Sequence, residues 1–189
     1  MTGFFLQYLF NPKQTGAVAP SSDELSSLLA QTPDLKNARV VVEFGPGTGV
    51  VTRHILHRVP RDGVFFALEM NPRFVEETKK RCPQALIYQD SAAHVKKYLH
   101  QHHHETCDCI ISGMPWASFD DQLQKELLHA TVEALKEGGE FATFAYWGFH
   151  LLAAGRNFKK MLKKNFSSVK TTRVIWKNLP PAFVYHCKK

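Results

Sequence analysis

Val40-Val41-Val42-Glu43-Phe44-Gly45-Pro46-Gly47-Thr48-Gly49-Val50-Val51-Thr52 is the stretch that decides the fold of this chain. The β-branched run from Arg39 to Phe44 predicts a buried strand of a parallel sheet. The run ends abruptly in three glycines, which predict a tight turn before a helix. Glycines at such a turn let backbone N–H groups approach a ligand at the helix N-terminus. We therefore expect a group with a carboxylate, a ribose or a phosphate to bind here.

The spacing of the glycines distinguishes two kinds of nucleotide-binding loop. A dinucleotide-binding fingerprint requires a third glycine or alanine at position 50, where this chain has Val50. Gly45-x-Gly47-x-Gly49, with Glu43 two residues upstream, instead resembles the cofactor loop of S-adenosyl-L-methionine (SAM)-dependent methyltransferases. A structural βα turn without a ligand is the alternative.

A second strand with an acid at its end strengthens the prediction of a cofactor site. Phe65-Phe66-Ala67-Leu68-Glu69 follows the first strand by about 20 residues, the distance at which a carboxylate meets the ribose hydroxyls. We expect Glu69 to accept hydrogen bonds from both hydroxyls, and the next residue, Met70, to pack on the adenine. Met is also an ordinary filler of gaps in a core.

Length and cysteine content place the chain among single-domain proteins of a reducing compartment. Its 189 residues suffice for one core, and the four cysteines have no disulfide-framework spacing. Met1–Phe10 lacks the features of a signal peptide, and no apolar run approaches the roughly 20 residues that span a bilayer. We expect a cytoplasmic protein whose membrane contact, if it has one, is peripheral, at the inner face of the cell membrane.

The charge of +7 is distributed unevenly along the chain. After Glu140 there are ten Lys and Arg residues and no acid, so this last part carries +10 and the rest carries −3. A basic surface of this kind indicates an anionic partner, either lipid headgroups or nucleic acid. A merely solvated basic face is the alternative.

From Arg39 onward the pattern alternates between strands and helices, which predicts a doubly wound α/β sheet. The expected strands are 39–44, 64–69, 85–89, 107–112, 140–146, 168–176 and 181–187, and the expected helices are 49–58, 72–81, 91–103, 119–136 and 150–164. The last two strands have no helix between them and must therefore pair antiparallel. The fold class is a seven-stranded Rossmann-like SAM-dependent methyltransferase sheet with an antiparallel last strand.

An N-terminal helical segment, 1–32, precedes the predicted methyltransferase domain, 33–189. It begins with the apolar Gly3–Phe10, which either docks on the domain or enters a lipid interface. Ser21 or Ser22 is expected to cap a helix through about Gln31, with Asp23 and Glu24 in its first turn.

Further site residues are predicted where the third and fourth strands end. Asp90 can accept from the adenine amino group, and Ser91 can either contact the cofactor and cap the next helix or act as a cap only. After the fourth strand, the carbonyls of Ser112 and Gly113 can orient an amine lone pair, and Trp116 can hold a cationic nitrogen by cation–π attraction. A turn with a buried Trp is the alternative.

A cluster of His102-His103-His104 with Cys107 and Cys109 superficially suggests a metal site. The cysteines fall on one face of a predicted buried strand, and histidines at a helix end suit the helix dipole. We therefore predict no metal.

Four blocks together resemble the bacterial phospholipid N-methyltransferases, relatives of the rRNA adenine dimethyltransferases. They are 11–22 (NPKQTGAVAPSS), 42–49 (VEFGPGTG), 112–115 (SGMP) and 178–184 (NLPPAFV). The resemblance implies stepwise SAM-dependent methylation of phosphatidylethanolamine toward phosphatidylcholine, or methylation of an ornithine lipid. It also implies that Gln14 and Thr15 lie over the cofactor and that the segment before Asn11 touches the membrane. Ser112 departs from the Asn or Asp that usually opens its motif.

The predicted acceptor is thus an aminophospholipid on an anionic membrane surface, methylated by a monomer, with Tyr8, Tyr146 or His150 as proton relay. An RNA adenine N6-methyltransferase is the second hypothesis, in which the basic part would bind phosphate. Against it, the dimethyltransferase relatives carry an additional C-terminal helical domain, and this chain ends after its seventh strand. A SAM-binding module without activity is the third.

Overall fold

The predicted alternation forms a mixed sheet covered by helices on both faces, in a computed structural model that describes residues 21–189. The strands are β1 (Val40–Phe44), β2 (Val64–Leu68), β3 (Leu86–Tyr88), β4 (Cys107–Ser112), β5 (Leu135–Tyr146), β6 (Ser168–Thr171) and β7 (Ala182–Lys188). The helices are α1 (Asp23–Gln31), α2 (Val50–Leu56), α3 (Pro72–Arg81), α4 (Val95–Gln101), α5 (Asp121–Ala134) and α6 (Ala153–Asn165). Short 3₁₀ turns lie at Leu35–Asn37, Ala92–His94, Trp116–Ser118 and Phe149–Leu151.

The sheet order is β3-β2-β1-β4-β5-β7-β6. Strands β1 to β5 run parallel, and β7 pairs antiparallel with both β5 and β6. The order reverses beside β1, and ligands bind in the crevice outside the carboxyl ends of parallel strands at such a reversal. The predicted seven-stranded sheet with an antiparallel last strand is confirmed.

The central strands are buried on both faces, as their β-branched composition predicts. All five residues of β1 are buried, and those of its neighbour β4 are buried except Asp108. The strand bounds agree with prediction within one or two residues except in two places. Strand β5 begins five residues early, at Leu135, through an irregular register with β4. Strand β6 ends at Thr171, five residues before the predicted end. In the remaining part, 172–176, the β-bridge is a single isolated one, between Ile175 and Ala182.

Helix α1 packs into the same core as the sheet. Ser22 caps it, with its hydroxyl oxygen accepting a hydrogen bond from the Leu25 N–H at 3.2 Å. Its buried face contributes Leu25 and Leu29 to a cluster that includes Val41 of β1. None of the helices in residues 21–189 is long and apolar enough to span a bilayer. The predicted Gly3–Phe10 contact with lipid lies outside the described residues.

Candidate active site

A cavity of about 450 Å³ lies at the carboxyl edge of the sheet, beside the reversal of strand order. The glycine loop and the ends of β2, β3 and β4 form its walls. The predicted residues that line it are Gly45, Gly47, Glu69, Met70, Asp90, Ser91 and Gly113. The cavity is mostly apolar with a few converging polar groups, and its size suits a nucleoside-containing cofactor.

Gly47 opens the floor of the cavity. Its φ is +58°, and a Cβ placed on it would meet no atom within 4 Å, so its backbone faces free space. The Thr78 hydroxyl donates to the Gly47 carbonyl at 2.8 Å and holds the loop against α3. A side chain at this position would adopt a strained conformation and occupy space that a ligand needs.

Glu69 lies at the end of β2 with its carboxylate in the cavity wall. One oxygen accepts from the Gly47 N–H at 3.2 Å, and the other accepts from the Asn71 N–H at 2.9 Å. Each oxygen retains acceptor capacity, as two ribose hydroxyls would require. Burial raises the pKa of the Glu69 carboxyl, an effect that these backbone hydrogen bonds partly counter.

Asp90 and Ser91 lie at the far wall, where β3 ends. Asp90 is bonded by the Ser91 N–H, the His94 ring, the Tyr98 hydroxyl and the Lys97 ammonium, at 2.7, 2.8, 2.7 and 3.3 Å. The hydrogen bonds with His94 and then Tyr98 hold the pKa of Asp90 far below its usual range. A contact with adenine would have to displace one of these donors, and it stays a prediction.

Ser91 and Met70 complete that end of the cavity. The Ser91 hydroxyl accepts from the Ala93 N–H at 3.2 Å, so the residue acts as a cap, the simpler of the two roles considered. Met70 is 65% exposed at the mouth and is free to pack on a flat ring.

Gly113 brings the loop after β4 close to the glycine loop. A Cβ at this position would lie 2.5 Å from the Gly45 carbonyl oxygen, so a larger residue would push the two loops apart. The Gly113 N–H donates to the Phe44 carbonyl at 2.8 Å. Gly113 thus forms part of the cavity wall, where it was predicted.

The contacts of Trp116 differ from those expected of an acceptor-binding residue, and its acceptor role stays a prediction. Its ring is 1% exposed and stacks on Phe158, with centroids 4.7 Å apart. Its indole N–H donates to the Ser112 hydroxyl at 3.0 Å. Phe158 covers one face of the ring, and Trp116 also lines the small cavity described below. Trp116 is the buried Trp of a turn.

Ser112 also differs from its predicted role. It is fully buried within β4, and its carbonyl accepts from the Thr143 hydroxyl at 3.1 Å. That carbonyl therefore serves the sheet and does not orient an acceptor amine. The Ser112 hydroxyl instead accepts from Trp116 and from the Met114 N–H, which fixes the shape of the loop.

Glu43 and Gly49 lie behind the cavity and do not line it. The Glu43 carboxyl is fully buried and accepts from the Thr52 hydroxyl at 2.7 Å, which ties β1 to α2. Burial raises the pKa of Glu43 to about 8. A Cβ on Gly49 would meet Thr78 of α3 at 3.2 Å, so this glycine permits close packing of the loop. Neither residue contacts a ligand in the cavity directly.

Three predicted site residues, Tyr8, Gln14 and Thr15, lie outside the described residues. Two of the residues considered as metal ligands, His102 and Cys107, have other partners. The His102 ring bonds the Tyr88 hydroxyl at 3.0 Å and stacks on Phe66, and Cys107 is buried in β4. Within residues 21–189 no group of three or more His, Cys, Asp or Glu side chains could hold a metal ion.

Sequence reasoning missed part of the apolar wall. Phe119, Leu123 and Leu127 line the cavity from α5 and the turn before it. Their spacing of four residues places them on one helical face, and this period is the signal that could have identified them. Ser21 and Phe144 also line the cavity.

A second, small cavity of about 20 Å³ adjoins the first. The two share Pro115, Phe144 and Tyr146 in their walls. Two polar atoms of its lining residues, His150 Nδ1 and the Tyr185 hydroxyl, are buried without a hydrogen-bond partner among the described residues. Buried polar groups are normally paired, so these two atoms favour a site for a polar group or a water.

Comparisons with known proteins agree with this geometry. Residues 41–139 match the family described as Methyltransferase domain. The chain is 30% identical over 196 residues to an ornithine lipid N-methyltransferase of Singulisphaera acidiphila, covering 100% of this chain and 97% of the relative. It is 24% identical over 116 residues to a tRNA1(Val) (adenine(37)-N6)-methyltransferase of Actinobacillus pleuropneumoniae, a match that spans 61% of this chain and 48% of that protein.

The fold matches solved methyltransferases at low sequence identity. An O-methyltransferase from Bacillus cereus in complex with SAH superposes with a TM-score of 0.72 at 12% identity, covering 100% of this chain and 90% of that one. The fold and the cavity define a Rossmann-like transferase with a nucleoside cofactor. The chain belongs to the SAM-dependent methyltransferase family, and its cofactor is S-adenosyl-L-methionine.

Proposed function

We propose that this protein transfers methyl groups from SAM to the amine of a membrane lipid headgroup, with an ornithine lipid as the favoured acceptor. One observation carries this proposal. The similarity to the ornithine lipid N-methyltransferase covers the whole chain, including the parts outside residues 41–139. These outer parts contain α1, α6 and the last two strands, and Phe158 of α6 and Tyr185 of β7 line the small cavity.

The described residues account for binding of the nucleoside half of the cofactor. SAM supplies an electrophilic methyl group on a positively charged sulfur. Glu69 would hold the ribose hydroxyls, Met70 would cover the adenine, and Gly47 would leave the backbone open beside them. Phe119, Leu123 and Leu127 would keep water away from the rest of the cavity, which favours methyl transfer to an oriented amine.

The acceptor amine attacks only as a free base, so its proton must leave before or during transfer. The small cavity supplies groups for this step. His150 Nδ1 is buried without a partner among residues 21–189 and can take the proton, while the Tyr185 hydroxyl can orient the amine or a water. Burial raises the pKa of Tyr185 to about 12, so the phenol stays neutral and serves as a hydrogen-bonding group. Tyr146 lines both cavities, beside the path between them.

The choice between phosphatidylethanolamine and ornithine lipid as the acceptor is supported by similarity to a relative. Phosphatidylethanolamine was the first acceptor predicted from sequence, with ornithine lipid as its alternative. Both present a primary amine near an anionic group, so the same cavity suits either. The relative that matches over full length acts on an ornithine lipid by its name, and this favours the ornithine class here. We further propose a monomer that works at the inner face of the cell membrane.

An RNA adenine N6-methyltransferase remains the second candidate, because the tRNA1(Val) methyltransferases are also relatives. The basic residues after Glu140 could serve nucleic acid as well as lipid. The match to the tRNA1(Val) methyltransferases spans 61% of this chain, whereas the match to the ornithine lipid N-methyltransferase spans 100% of it. The lipid acceptor is therefore the better supported.

The test is expression in two bacterial strains that lack methylated lipids. One makes phosphatidylethanolamine only, and the other also makes ornithine lipids. We expect lipid mass spectrometry to detect methylated ornithine lipid in the second strain, and none with the Glu69→Ala variant as control. Methylation of phosphatidylethanolamine alone would move the proposal to that headgroup. Methylated adenine in tRNA without any methylated lipid would overturn it.

A further inference from the structure

Five large apolar side chains are exposed at one edge of the molecule. Eight are exposed within residues 21–189, of which Met70 and Leu123 line the cofactor cavity and Leu86 lies alone on β3. The other five form what we call the edge patch: Trp147, Leu151, Leu152, Trp176 and Leu179, with exposures of 48, 60, 58, 66 and 81%. Isolated exposed hydrophobics are ordinary, whereas a contiguous group indicates an interaction surface.

The pairing of β5 with β7 brings together the two groups of residues that form the edge patch. One group is Trp147, Leu151 and Leu152, between β5 and α6, and the other is Trp176 and Leu179, between β6 and β7. Strand β7 begins with Ala182 opposite Tyr146, the last residue of β5. The β5–α6 and β6–β7 connections therefore meet at the carboxyl edge, where the cofactor cavity opens. The Trp147 N–H donates to the Pro181 carbonyl at 2.7 Å, and the Trp147 and Trp176 rings lie 5.9 Å apart.

Asn178 holds the β6–β7 connection so that its apolar residues face outward. Asn178 is 4% exposed. Its side-chain oxygen accepts from the Ser22 N–H at 2.9 Å, and its amide donates to the Pro180 carbonyl at 2.6 Å. Because the residue between them is anchored, Trp176 and Leu179 are held in the solvent. An interaction surface that is already ordered loses little entropy on binding.

The charge around the edge patch is positive. Lys177 lies between Trp176 and Asn178, and Arg156 lies one turn into α6 after Leu152. Neither forms an ion pair with an acid among the described residues, whereas Arg173 is paired with Glu24 at 3.0 Å. Asp120 and Asp121 line a groove together with Arg156, so Lys177 is the less compensated of the two cations. Exposed Trp and Leu beside unpaired cations complement an anionic lipid surface.

We propose that the edge patch is the surface by which this protein docks on an anionic bilayer, with Trp147 and Trp176 at the headgroup level. This inference rests on the proposed lipid acceptor and specifies how that acceptor reaches the site. The His150 ring lies 5.1 Å from the Trp147 ring and lines the small cavity, so the small cavity lies directly behind the docked surface. A lipid amine then enters the site without its acyl chains leaving the bilayer.

The first arm of the test measures sedimentation with vesicles of equimolar phosphatidylglycerol and phosphatidylcholine, using the full chain. We expect Trp176→Ser/Leu179→Ser to weaken the apparent partition roughly ten-fold or more, since two apolar side chains no longer enter the interface. Leu86→Ser is the matched control, because Leu86 is exposed on the opposite edge strand of the sheet. Circular dichroism verifies that both variants are folded. Equal binding of all three proteins would overturn the proposal.

The second arm tests whether the effect of a cation on vesicle binding depends on its distance from the edge patch. Arg156→Glu/Lys177→Glu should weaken binding several-fold, and the difference should fade with added salt. Lys163→Glu/Lys164→Glu makes the same charge change at the far end of α6, about 10 Å further along the helix, and should have the smaller effect. A larger effect from the Lys163 and Lys164 change would place the membrane on the side of α6 and contradict the edge patch.

Tryptophan fluorescence gives a readout that does not depend on weakened binding. We expect vesicles to shift the emission of the wild type to shorter wavelength, and Trp147→Phe/Trp176→Phe to lose the shift while it still sediments, because Trp116 is buried in the core. An unchanged shift in that variant would overturn the proposal. So would concentration-dependent dimerisation, or protection of the edge patch by tRNA in place of vesicles.

Lipid mass spectrometry of cells that express the Trp176→Ser/Leu179→Ser variant separates this inference from the proposed function. Normal vesicle binding by the variant, with methylated lipid formed, contradicts the edge patch alone. Vesicle binding through the edge patch without any methylated lipid contradicts the proposed function alone.

Discussion

The carboxylate of Glu69 accepts a hydrogen bond from the backbone N–H of Gly47 at 3.2 Å, across 22 positions of sequence. This bond joins the glycine loop after β1 to the acid after β2. The two predicted halves of the cofactor site are therefore already aligned in the folded chain, so a bound ribose meets a preorganised acceptor.

Glu69→Ala should abolish measurable SAM binding in calorimetric titration. It removes two charge-assisted hydrogen bonds to the ribose, worth roughly 1.5–3 kcal/mol each. Glu76→Gln is the control, since Glu76 is exposed on α3 away from the cavity. Wild-type affinity in a folded Glu69→Ala protein would contradict the assignment.

Gly47→Ala should lower SAM affinity about ten-fold or more, because the new Cβ enters the cavity and the positive φ becomes strained. Gly138→Ala is a matched control, with a φ of +71° and only the Lys188 side chain near its Cβ. We expect both variants to lose about 1 kcal/mol of stability. Only the Gly47 variant should lose affinity, and equal affinities would mean that the loop is only a turn.

Glu43 should make the stability of the cofactor-free protein fall as pH rises. Its pKa is about 8 in the folded protein and about 4.5 in the unfolded chain, so between these values the folded state binds more protons. The stabilising contribution is present below about pH 4.5 and is lost as pH rises through about 8.

Glu43→Gln should flatten this dependence, because the amide keeps an oxygen for Thr52 and does not ionise. This dependence is measured as the Tm of thermal unfolding of both proteins from about pH 5 to about pH 9. Each 1 kcal/mol of stability should change Tm by roughly 2–4 °C. Parallel curves for the two proteins would show that Glu43 does not titrate in this range.

Trp116 should act mainly through packing, because its ring is buried against Phe158. Trp116→Ala should cost about 3–5 kcal/mol, as expected for a large buried ring. Trp116→Phe keeps a ring against Phe158 and loses the bond to Ser112, which should cost about 1 kcal/mol. Denaturant titration checks both values. A folded Trp116→Phe enzyme with a strongly raised acceptor KM would support the cation–π role.

The unpaired polar atoms of the small cavity should matter for turnover. Tyr185→Phe removes a buried hydroxyl that has no partner in the described part of the chain, so stability should stay equal or rise. His150→Gln should lower kcat about 10²-fold or more with SAM affinity unchanged. His129→Gln, on the exposed face of α5, is the control. Normal kcat in both cavity variants would leave Tyr146 as the candidate for the proton.

The sequence alone determined the order of strands and helices, the glycine loop and the position of Glu69. These features depend on contiguous signals: apolar runs of strand length, glycines at a strand end and an acid directly after the next strand. Such signals act over a few residues and do not require knowledge of distant contacts.

Tertiary structure decided which residues near those motifs face the ligand. Glu43 and Ser112 lie inside strands whose neighbours bury them on both sides, whereas Glu69 and Gly113 follow the last strand residue and reach the cavity. One position along a strand therefore separates a structural group from a residue that lines the cavity. The edge patch also depends on the fold, because Trp147 and Trp176 meet only when β7 pairs antiparallel with β5. Pairing across the sheet sets these positions, and burial then determines which groups remain available for chemistry.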